Sequence, residues 1–221
     1  MKSEIVRTLD GSDTLYNSQV DDHYHSINGA IGESKHIFIS AGLLSLEKDV
    51  LSVFELGFGT GLNALLTAFE AGKNNLIIHY SSIEKYPLDN KLAARLNYPG
   101  IIGGDSGVIY NKIIEAPWDV ETAISPNFYL EKIKGGIEEF ITEKMFDLVY
   151  FDAFGPEKQP EMWSGEIISK ISSMMKPASV FVTYSSRGEL KRLLKSLNFT
   201  VKHLPGPPGK REFTRAIKEI M

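Results

Sequence analysis

Three glycines at alternate positions follow a short apolar run in the sequence ELGFGTGLN, residues 55–63. Gly57, Gly59 and Gly61 allow the backbone to turn sharply and to approach a ligand without interference from a Cβ atom. A dinucleotide-binding loop would need a glycine at position 62, where this chain has leucine, and the Gly-Lys-Ser/Thr sequence of a phosphate-binding loop does not follow. The spacing therefore disfavours NAD, FAD and nucleoside triphosphates as ligands.

Two acidic residues flank this loop at the ends of predicted strands. Glu55 lies at the end of the first strand, and Glu84 ends the second. An acidic residue followed by G-x-G-x-G resembles the first motif of class I S-adenosylmethionine-dependent methyltransferases. This cofactor carries an ammonium and a sulfonium group, which a nearby carboxylate stabilises, and an acid at the second strand end can accept hydrogen bonds from ribose hydroxyls. The pattern therefore predicts S-adenosylmethionine as the cofactor.

A third acid, Asp152, ends another apolar run and begins the sequence DAFGPEKQPEMW. Methyl transfer to an amine needs a free lone pair in line with the methyl group and an acceptor for the departing proton. A carboxylate can both orient the amine and take its proton. Phe154, Lys158 and Trp163 follow it, and such residues can stack on a base or bind a phosphate. Asp152 is the candidate catalytic residue, although it could also cap the next turn, and Trp163 could be a packing residue at a helix start.

The elements that would position these residues alternate after residue 49 between apolar runs and helical periodicity, which is typical of an α/β fold. The near-continuous apolar runs indicate a mostly parallel sheet that is buried on both faces. Strands are predicted at residues 50–56, 76–84, 128–133, 146–152, 179–184, 199–204 and 212–217. Helices are predicted at residues 62–71, 88–96, 137–142, 166–175 and 189–197. We expect a Rossmann-like sheet of seven strands, of which only the last is antiparallel.

The first 45 residues have a different pattern. Apolar segments at 5–9 and 14–18 flank the turn sequence DGSD, which predicts a hairpin, and a His-rich stretch, DDHYH, follows. We expect residues 1–45 to form a small cap, residues 46–221 to form the cofactor-binding domain, and residues 98–126 to be an irregular insertion. The histidines lie on no clear strand and amine methylation needs no metal, so no metal site is predicted.

Composition and charge limit the remaining classes of function. The absence of cysteine excludes disulfides, thiolate metal sites and a catalytic thiol. No apolar stretch has the length of a signal peptide or a membrane span, so we expect a cytoplasmic protein without a membrane partner. Residues 185–221 carry 9 basic and 3 acidic side chains, against 15 and 25 in the preceding chain. This asymmetry indicates an anionic partner, or alternatively a basic solvated surface.

Longer segments resemble one particular family. GFGTGLN, SSIEKYPL, FDLVYFDAFGPEKQPEMW and GKRE are similar to the methyltransferase half of the MnmC family of bifunctional tRNA wobble-uridine modification enzymes. The resemblance spans nearly the whole chain and is weakest over residues 98–126. It implies a class I methyltransferase fold and methylation of the 5-aminomethyl group of the wobble (2-thio)uridine. The anticodon region of tRNA would be the partner, and the FAD-dependent oxidoreductase half of the family is absent from this chain.

The resemblance also implies roles for individual residues. Cofactor contacts would come from Tyr16, Glu55, Gly57, Phe58, Gly59, Gly61, Asn63, Glu84 and Lys85. Asp152 would face the amine. Substrate contacts would come from Phe154, Lys158, Trp163, Lys210 and Arg211. One departure concerns the acid that the family usually has in a Gly-Asp pair after its third strand, where this chain reads Lys-Gly-Gly; Asp105 falls too early to replace it.

Two other functions remain open at this stage. A spermidine-synthase-like aminopropyltransferase shares the fold and an N-terminal β-element, but it would need a strongly acidic amine pocket and no surface for RNA. The missing acid after the third strand leaves open a non-catalytic cofactor-binding or RNA-binding module. The basic segment at residues 185–221 favours the RNA-modifying enzyme.

Overall fold

The structure, a computed structural model, describes residues 3–220. Its N-terminal part is a three-stranded antiparallel sheet of β1 (Ser3–Arg7), β2 (Asp13–Asn17) and β3 (Asp22–His23). The predicted hairpin is therefore confirmed, and β3 extends it. Helix α1 (Ala30–Ser34) follows and continues as one turn of π-helix at Lys35–Ser40.

An eight-stranded sheet forms the centre of the fold. Its strands are β4 (Val50–Leu56), β5 (Ile77–Glu84), β6 (Glu121–Ser125), β7 (Phe128–Lys134), β8 (Phe146–Phe151), β9 (Met175–Thr183), β10 (Phe199–Pro205) and β11 (Glu212–Lys218). Their spatial order is β10-β11-β9-β8-β4-β5-β7-β6. Neighbouring strands from β7 to β9 are parallel, whereas β11 runs antiparallel to both β9 and β10. The predicted Rossmann-like sheet with a reversed last strand is confirmed.

The strand count differs from the predicted seven because β6 was assigned to an irregular insertion. It pairs antiparallel with β7 at the sheet edge. Only Ile124 of its five residues is buried. The strand therefore has no need of an apolar run, and such a run is the signal by which the other strands were predicted. An edge strand needs only one buried face, and its sequence signal is correspondingly weak.

The remaining helices are α2 (Leu62–Asn74), α3 (Asn90–Ala93), α4 (Tyr98–Ile102), α5 (Ser106–Glu115), α6 (Gly165–Ser173) and α7 (Gly188–Ser196). Three predicted helices correspond to α2, α6 and α7. The helix predicted at residues 88–96 is reduced to α3, and the one predicted at 137–142 is wrong, because Ile137 and Phe140 pack from a turn. The insertion at 98–126 is also more regular than expected, since it contains α4, α5 and β6.

The sheet is covered on both faces, which explains the near-continuous apolar strands. One core cluster joins β4 and β5 to α2, α5 and the N-terminal segment, including Leu15 and Phe38. The other packs β8 and β9 against α6 and α7. All six residues of β8 are buried, as expected for a strand between two layers. The division of the chain at residue 45 stays a prediction. Within residues 3–220 no helix combines the length and apolarity that crossing a membrane requires.

Candidate active site

A cavity of about 670 Å³ lies at the carboxyl ends of β4, β5 and β8. Strand β4 has β5 on one side and β8 on the other, so the direction of the crossovers reverses here, and ligands of open α/β sheets bind at such points. The volume is in the range of small-molecule sites. Its walls come from the glycine loop, from the segments after β5, β7 and β8, and from the region between β2 and the π-helix.

The glycine loop forms one wall through its backbone. Gly57, Gly59 and Gly61 have φ values of 94°, 52° and 75°, and residues other than glycine rarely adopt such positive values. A Cβ atom at Gly57 would lie 2.8 Å from the Asp152 carbonyl oxygen, and one at Gly59 would lie 3.1 Å from the Tyr24 ring. Gly57 and Gly59 line the cavity, whereas Gly61 precedes α2 and does not line it.

Packing of Phe58 and hydrogen bonds to Glu84 stabilise this loop. The Phe58 ring is almost fully buried and packs edge-on against Trp118, with a centroid separation of 5.8 Å. The two carboxylate oxygens of Glu84 accept hydrogen bonds from the backbone N–H groups of Gly59 (3.1 Å) and Tyr86 (2.9 Å). Each oxygen keeps a lone pair for a ligand. Glu84 therefore lines the cavity in a fixed orientation in which it can accept from ribose hydroxyls.

The wall after β7 contains an acid that sequence analysis missed. Gly135 and Gly136 line the cavity where the resemblance predicts a Gly-Asp pair. A Cβ atom at Gly136 would overlap a carboxylate oxygen of Glu138, so Glu138 fills the space of the missing side chain. Glu138 lines the cavity and its carboxylate lies 3.5 Å from the Lys85 ammonium. The signal in the sequence was an acid two residues after the expected position.

Asn63 connects two carboxyl groups. Its side-chain amide donates to Glu55 (3.0 Å) and to Asp152 (2.8 Å). Glu55 also accepts from the Ser82 hydroxyl at 2.6 Å, and its burial raises its pKa to about 8. Glu55 lies behind the cavity wall rather than in its lining, in contrast to the predicted cofactor contact. The reason is that Ser82 and Asn63 enclose it, so its carboxyl group positions Asn63.

Asp152 lies on the cavity lining next to Gly57. Burial and the charge of Glu33 raise its pKa to about 7, although the Asn63 hydrogen bond and the Lys210 charge act in the opposite direction. A carboxyl group with a pKa near neutrality can accept a proton and later release it. Tyr184 and Phe154 line the cavity nearby, and the Phe154 ring packs edge-on against Tyr24 with centroids 5.1 Å apart.

Lys210 reaches into the same part of the cavity from the loop between β10 and β11. Its ammonium forms an ion pair with Glu33 and lies 4.3 Å from the centroid of the Tyr184 ring. The neighbouring Arg211 is exposed and does not line the cavity. Neither Glu33 nor Tyr184 was predicted from the sequence as a site residue. A lone acid within the apolar segment AIGESKHIFI and a tyrosine at a predicted strand end were the available signals.

Three other predicted site residues lie outside the cavity lining. The Tyr16 hydroxyl donates to Asp21 at 2.7 Å, and the Lys158 ammonium contacts the same carboxylate at 2.9 Å. Trp163 packs on Phe151 and donates its indole N–H to the Phe154 carbonyl at 2.8 Å, so it positions the Asp152 loop from behind. Within residues 3–220 no group of three or more His, Asp or Glu side chains could hold a metal ion.

Comparison with known proteins decides the class. A family model described as S-adenosyl-L-methionine-dependent methyltransferase matches residues 115–219. This match covers just under half of the chain, and over that stretch the chain is similar to the family. The tRNA 5-methylaminomethyl-2-thiouridine biosynthesis bifunctional protein MnmC of Campylobacter hominis is 32% identical over 211 residues, which cover 91% of this chain and 31% of the relative. The protein of the same name from Campylobacter fetus is 30% identical over 216 residues, covering 94% and 35%. The methyltransferase chain thus spans about a third of the length of these relatives.

A solved structure extends the likeness to the whole fold. The crystal structure of MNMC2 from Aquifex aeolicus superposes with a TM-score of 0.78 and 27% identity, covering 100% of this chain and 73% of that one. S-adenosylmethionine is the cofactor of this methyltransferase. The site fits it, because Gly57 and Gly59 line the cavity with their backbone and the Glu84 carboxylate lines it beside them.

Proposed function

We propose that this methyltransferase methylates the 5-aminomethyl group of the tRNA wobble (2-thio)uridine, which gives 5-methylaminomethyl-2-thiouridine. The observation that carries the proposal is Asp152, a carboxyl group with a pKa of about 7 that lines the cavity beside the glycine loop. The names of the relatives support the choice of substrate, since both are named for the biosynthesis of this nucleoside.

The glycine-loop side of the cavity would hold the cofactor. Gly57 and Gly59 offer their backbone, and Glu84 accepts from the ribose hydroxyls. Glu138, next to Gly136, takes the place of the acid expected after β7. When bound, S-adenosylmethionine supplies a methyl group on a positively charged sulfur, which is reactive toward an amine lone pair.

Asp152 would orient the substrate amine and take its proton. An ammonium group has no free lone pair, so one proton must leave before the nitrogen can accept a methyl group. The Asn63 hydrogen bond fixes one Asp152 oxygen, and the other remains available to the amine. Tyr24 and Phe154 offer aromatic rings on the same wall, against which a uracil base can pack.

The RNA itself would bind outside the cavity. Residues 185–221 carry the excess of basic side chains, and Arg211 is exposed directly after Lys210. Arg211 would contact a phosphate, which positions the RNA without specifying a base. Replacing Arg211 by alanine should weaken binding to modified and unmodified tRNA alike. It should also reduce the salt dependence of binding, because a complex with one phosphate contact fewer releases fewer counterions when it forms.

One observation favours a second candidate. Three acids line the substrate side of the cavity, namely Asp22, Glu33 and Asp152, and an aminopropyltransferase needs such an acidic pocket for its amine. The two activities use different cofactors, so decarboxylated S-adenosylmethionine with putrescine separates them. Formation of spermidine from this mixture would favour the second candidate.

The proposal is tested by incubating the protein with methyl-labelled S-adenosylmethionine and tRNA from a strain that lacks this activity. We expect label in 5-methylaminomethyl-2-thiouridine after digestion to nucleosides, identified by mass spectrometry. The matched control is tRNA from the strain with the activity, which should take up little label because the position is already methylated. Label in any other nucleoside, or in none, would contradict the proposal.

A further inference from the structure

The Lys210 ammonium lies in a site with the features of a binding site for cations. A carboxylate, Glu33, pairs with it, and the face of the Tyr184 ring lies 4.3 Å from the nitrogen. The combination of a carboxylate and an aromatic face is a common way to recognise an ammonium group. The Glu33 side chain is only 10% exposed. The carboxylate is therefore largely shielded from bulk water.

Other contacts hold the Glu33 carboxylate and the Tyr184 ring in place, whereas the Lys210 side chain enters the cavity from a loop. The second Glu33 oxygen accepts from the backbone N–H of Ser26 at 3.1 Å. The Tyr184 hydroxyl donates to the Ala153 carbonyl at 2.7 Å, directly after Asp152. Lys210 arrives on a flexible four-carbon chain from the loop between β10 and β11, and it can withdraw without a change in the sheet.

The position of this site relative to Asp152 gives it a role. Glu33 influences the Asp152 carboxyl from α1, and Lys210 influences it from the β10–β11 loop. Glu55 acts from behind Asn63, and Tyr184 lies beside Asp152. A cation in the site is therefore next to the group that takes the proton.

We propose that Glu33 and Tyr184 bind the ammonium form of the substrate amine, and that Lys210 occupies their site until the substrate displaces it. This inference rests on the proposed function, of which it specifies the amine recognition. Glu33 and Tyr184 are then substrate-binding residues, and Lys210 is an intramolecular competitor that closes the acidic site when no substrate is present.

The reaction balances with these groups. The bound primary ammonium gives one N–H proton to the Asp152 carboxylate, which becomes a neutral carboxylic acid. The nitrogen lone pair then forms the new N–CH₃ bond as the S–CH₃ bond breaks and its electrons stay on sulfur. The products are a secondary ammonium group and neutral sulfur in S-adenosylhomocysteine. The Lys210 ammonium neither gains nor loses a proton.

Steady-state kinetics of Lys210→Met give the first test. Methionine keeps most of the length of the side chain but removes the charge, so we expect the KM for tRNA to fall about threefold to tenfold and kcat to stay within about twofold. Lys73→Met, which removes a lysine charge at the far end of α2, is the matched control and should leave both constants unchanged. A KM that rises or stays constant, or a large fall in kcat, would overturn the proposal.

A second experiment reads the position of Lys210 without turnover. The lysine ammonium signal is followed by nitrogen NMR in protein saturated with S-adenosylhomocysteine, and is assigned by its loss in Lys210→Met. An anticodon stem-loop that carries 5-aminomethyluridine should shift this signal to that of a solvated lysine, while the same stem-loop with unmodified uridine should not. A signal that moves with both stem-loops or with neither overturns the proposal. Displacement in this experiment, combined with no transfer of label to tRNA in the separate assay with methyl-labelled S-adenosylmethionine, would instead contradict the proposed function alone.

Discussion

The glycine-loop half of the cavity is built mainly from the backbone of one local segment, whereas the Asp152 half is built from side chains of five separate segments. In the first half, Gly57 and Gly59 line the cavity with their backbone, and Glu84 is held by backbone N–H groups. In the second half, acids, a lysine and aromatic rings meet; they are Tyr24, Glu33, Asp152, Tyr184 and Lys210. One half therefore holds its ligand with a single loop and the carboxylate that the loop fixes, and the other with side chains that tertiary packing brings together.

This difference predicts that substitutions in the two halves affect different quantities, namely the affinity for S-adenosylmethionine and the turnover number. Changes in the glycine-loop half should act on the affinity for S-adenosylmethionine, because that half holds the cofactor. Changes in the Asp152 half should act on turnover, because that half handles the amine and its proton. A substitution that moved both quantities equally would show that the halves are not independent.

The largest effect is expected for Asp152→Asn. Asparagine keeps the shape and one acceptor oxygen but cannot take a proton, so kcat should fall by about hundredfold to ten-thousandfold. The affinity for S-adenosylmethionine, measured by calorimetry, should stay within about twofold. Asp105→Asn makes the same chemical change at an exposed position and serves as the control. Wild-type turnover by Asp152→Asn would show that Asp152 is structural and that the proton leaves to water.

Gly59→Val should act on the cofactor instead. The valine Cβ would lie 3.1 Å from the Tyr24 ring at a φ of 52°, where a β-branched residue is strained. We expect the affinity for S-adenosylmethionine to fall roughly hundredfold, since strain of this kind costs about 1–3 kcal/mol and the side chain would also crowd the Tyr24 ring, which lines the cavity. Gly72→Val, where a Cβ would meet open space, controls for the valine itself. Undiminished calorimetric binding by a folded Gly59→Val protein would remove the loop from the cofactor site.

Glu84→Ala should have a smaller effect on the same quantity. It removes hydrogen bonds between a charged group and the ribose hydroxyls, worth about 1.5–3 kcal/mol, so the affinity should fall by about tenfold to a hundredfold. Glu84→Gln keeps one acceptor oxygen and should lose less. An unchanged affinity in both variants would place the ribose elsewhere in the cavity.

Glu138→Gln is expected to give the smallest change. The side chain is 41% exposed, so water competes for its contacts, and the affinity for S-adenosylmethionine should fall by only about threefold to fivefold. Glu139→Gln, at the exposed neighbour outside the cavity lining, should leave affinity unchanged. Equal affinities in Glu138→Gln and the wild type would mean that no acid replaces the one expected after β7.

The same comparison explains how much the sequence could predict. The glycine loop, Glu84 and Asp152 were found because a strand, its following loop and the next helix are contiguous, and carboxyl ends of parallel strands meet at one edge. Glu33 and Tyr184 were missed because only tertiary packing brings the N-terminal segment and the end of β9 to that edge. Lys210 was predicted as an RNA contact from local charge, which carries no information on where its side chain points.

Helices and strands were not predicted where only one face is buried or where the apolar segment is short. The α5 sequence has Ile109, Tyr110, Ile113 and Ile114 buried at helical spacing, but two glycines before it indicated a loop. Strand β6 has one buried residue and no apolar run. Glu55 was predicted to contact the cofactor from its place before the loop, but the sequence did not show that Ser82 and Asn63 would enclose it.

The central claim is that Asp152 takes the proton from the amine, and the pH dependence of kcat/KM for tRNA tests it most directly. Burial raises the pKa of Asp152 to about 7, and only the ionised form accepts a proton, so kcat/KM should fall as the pH drops through 7. Asp152→Asn should lose this acidic limb along with most of its rate. A wild-type profile that stays flat down to pH 5, or an asparagine variant that keeps the limb, would contradict the account.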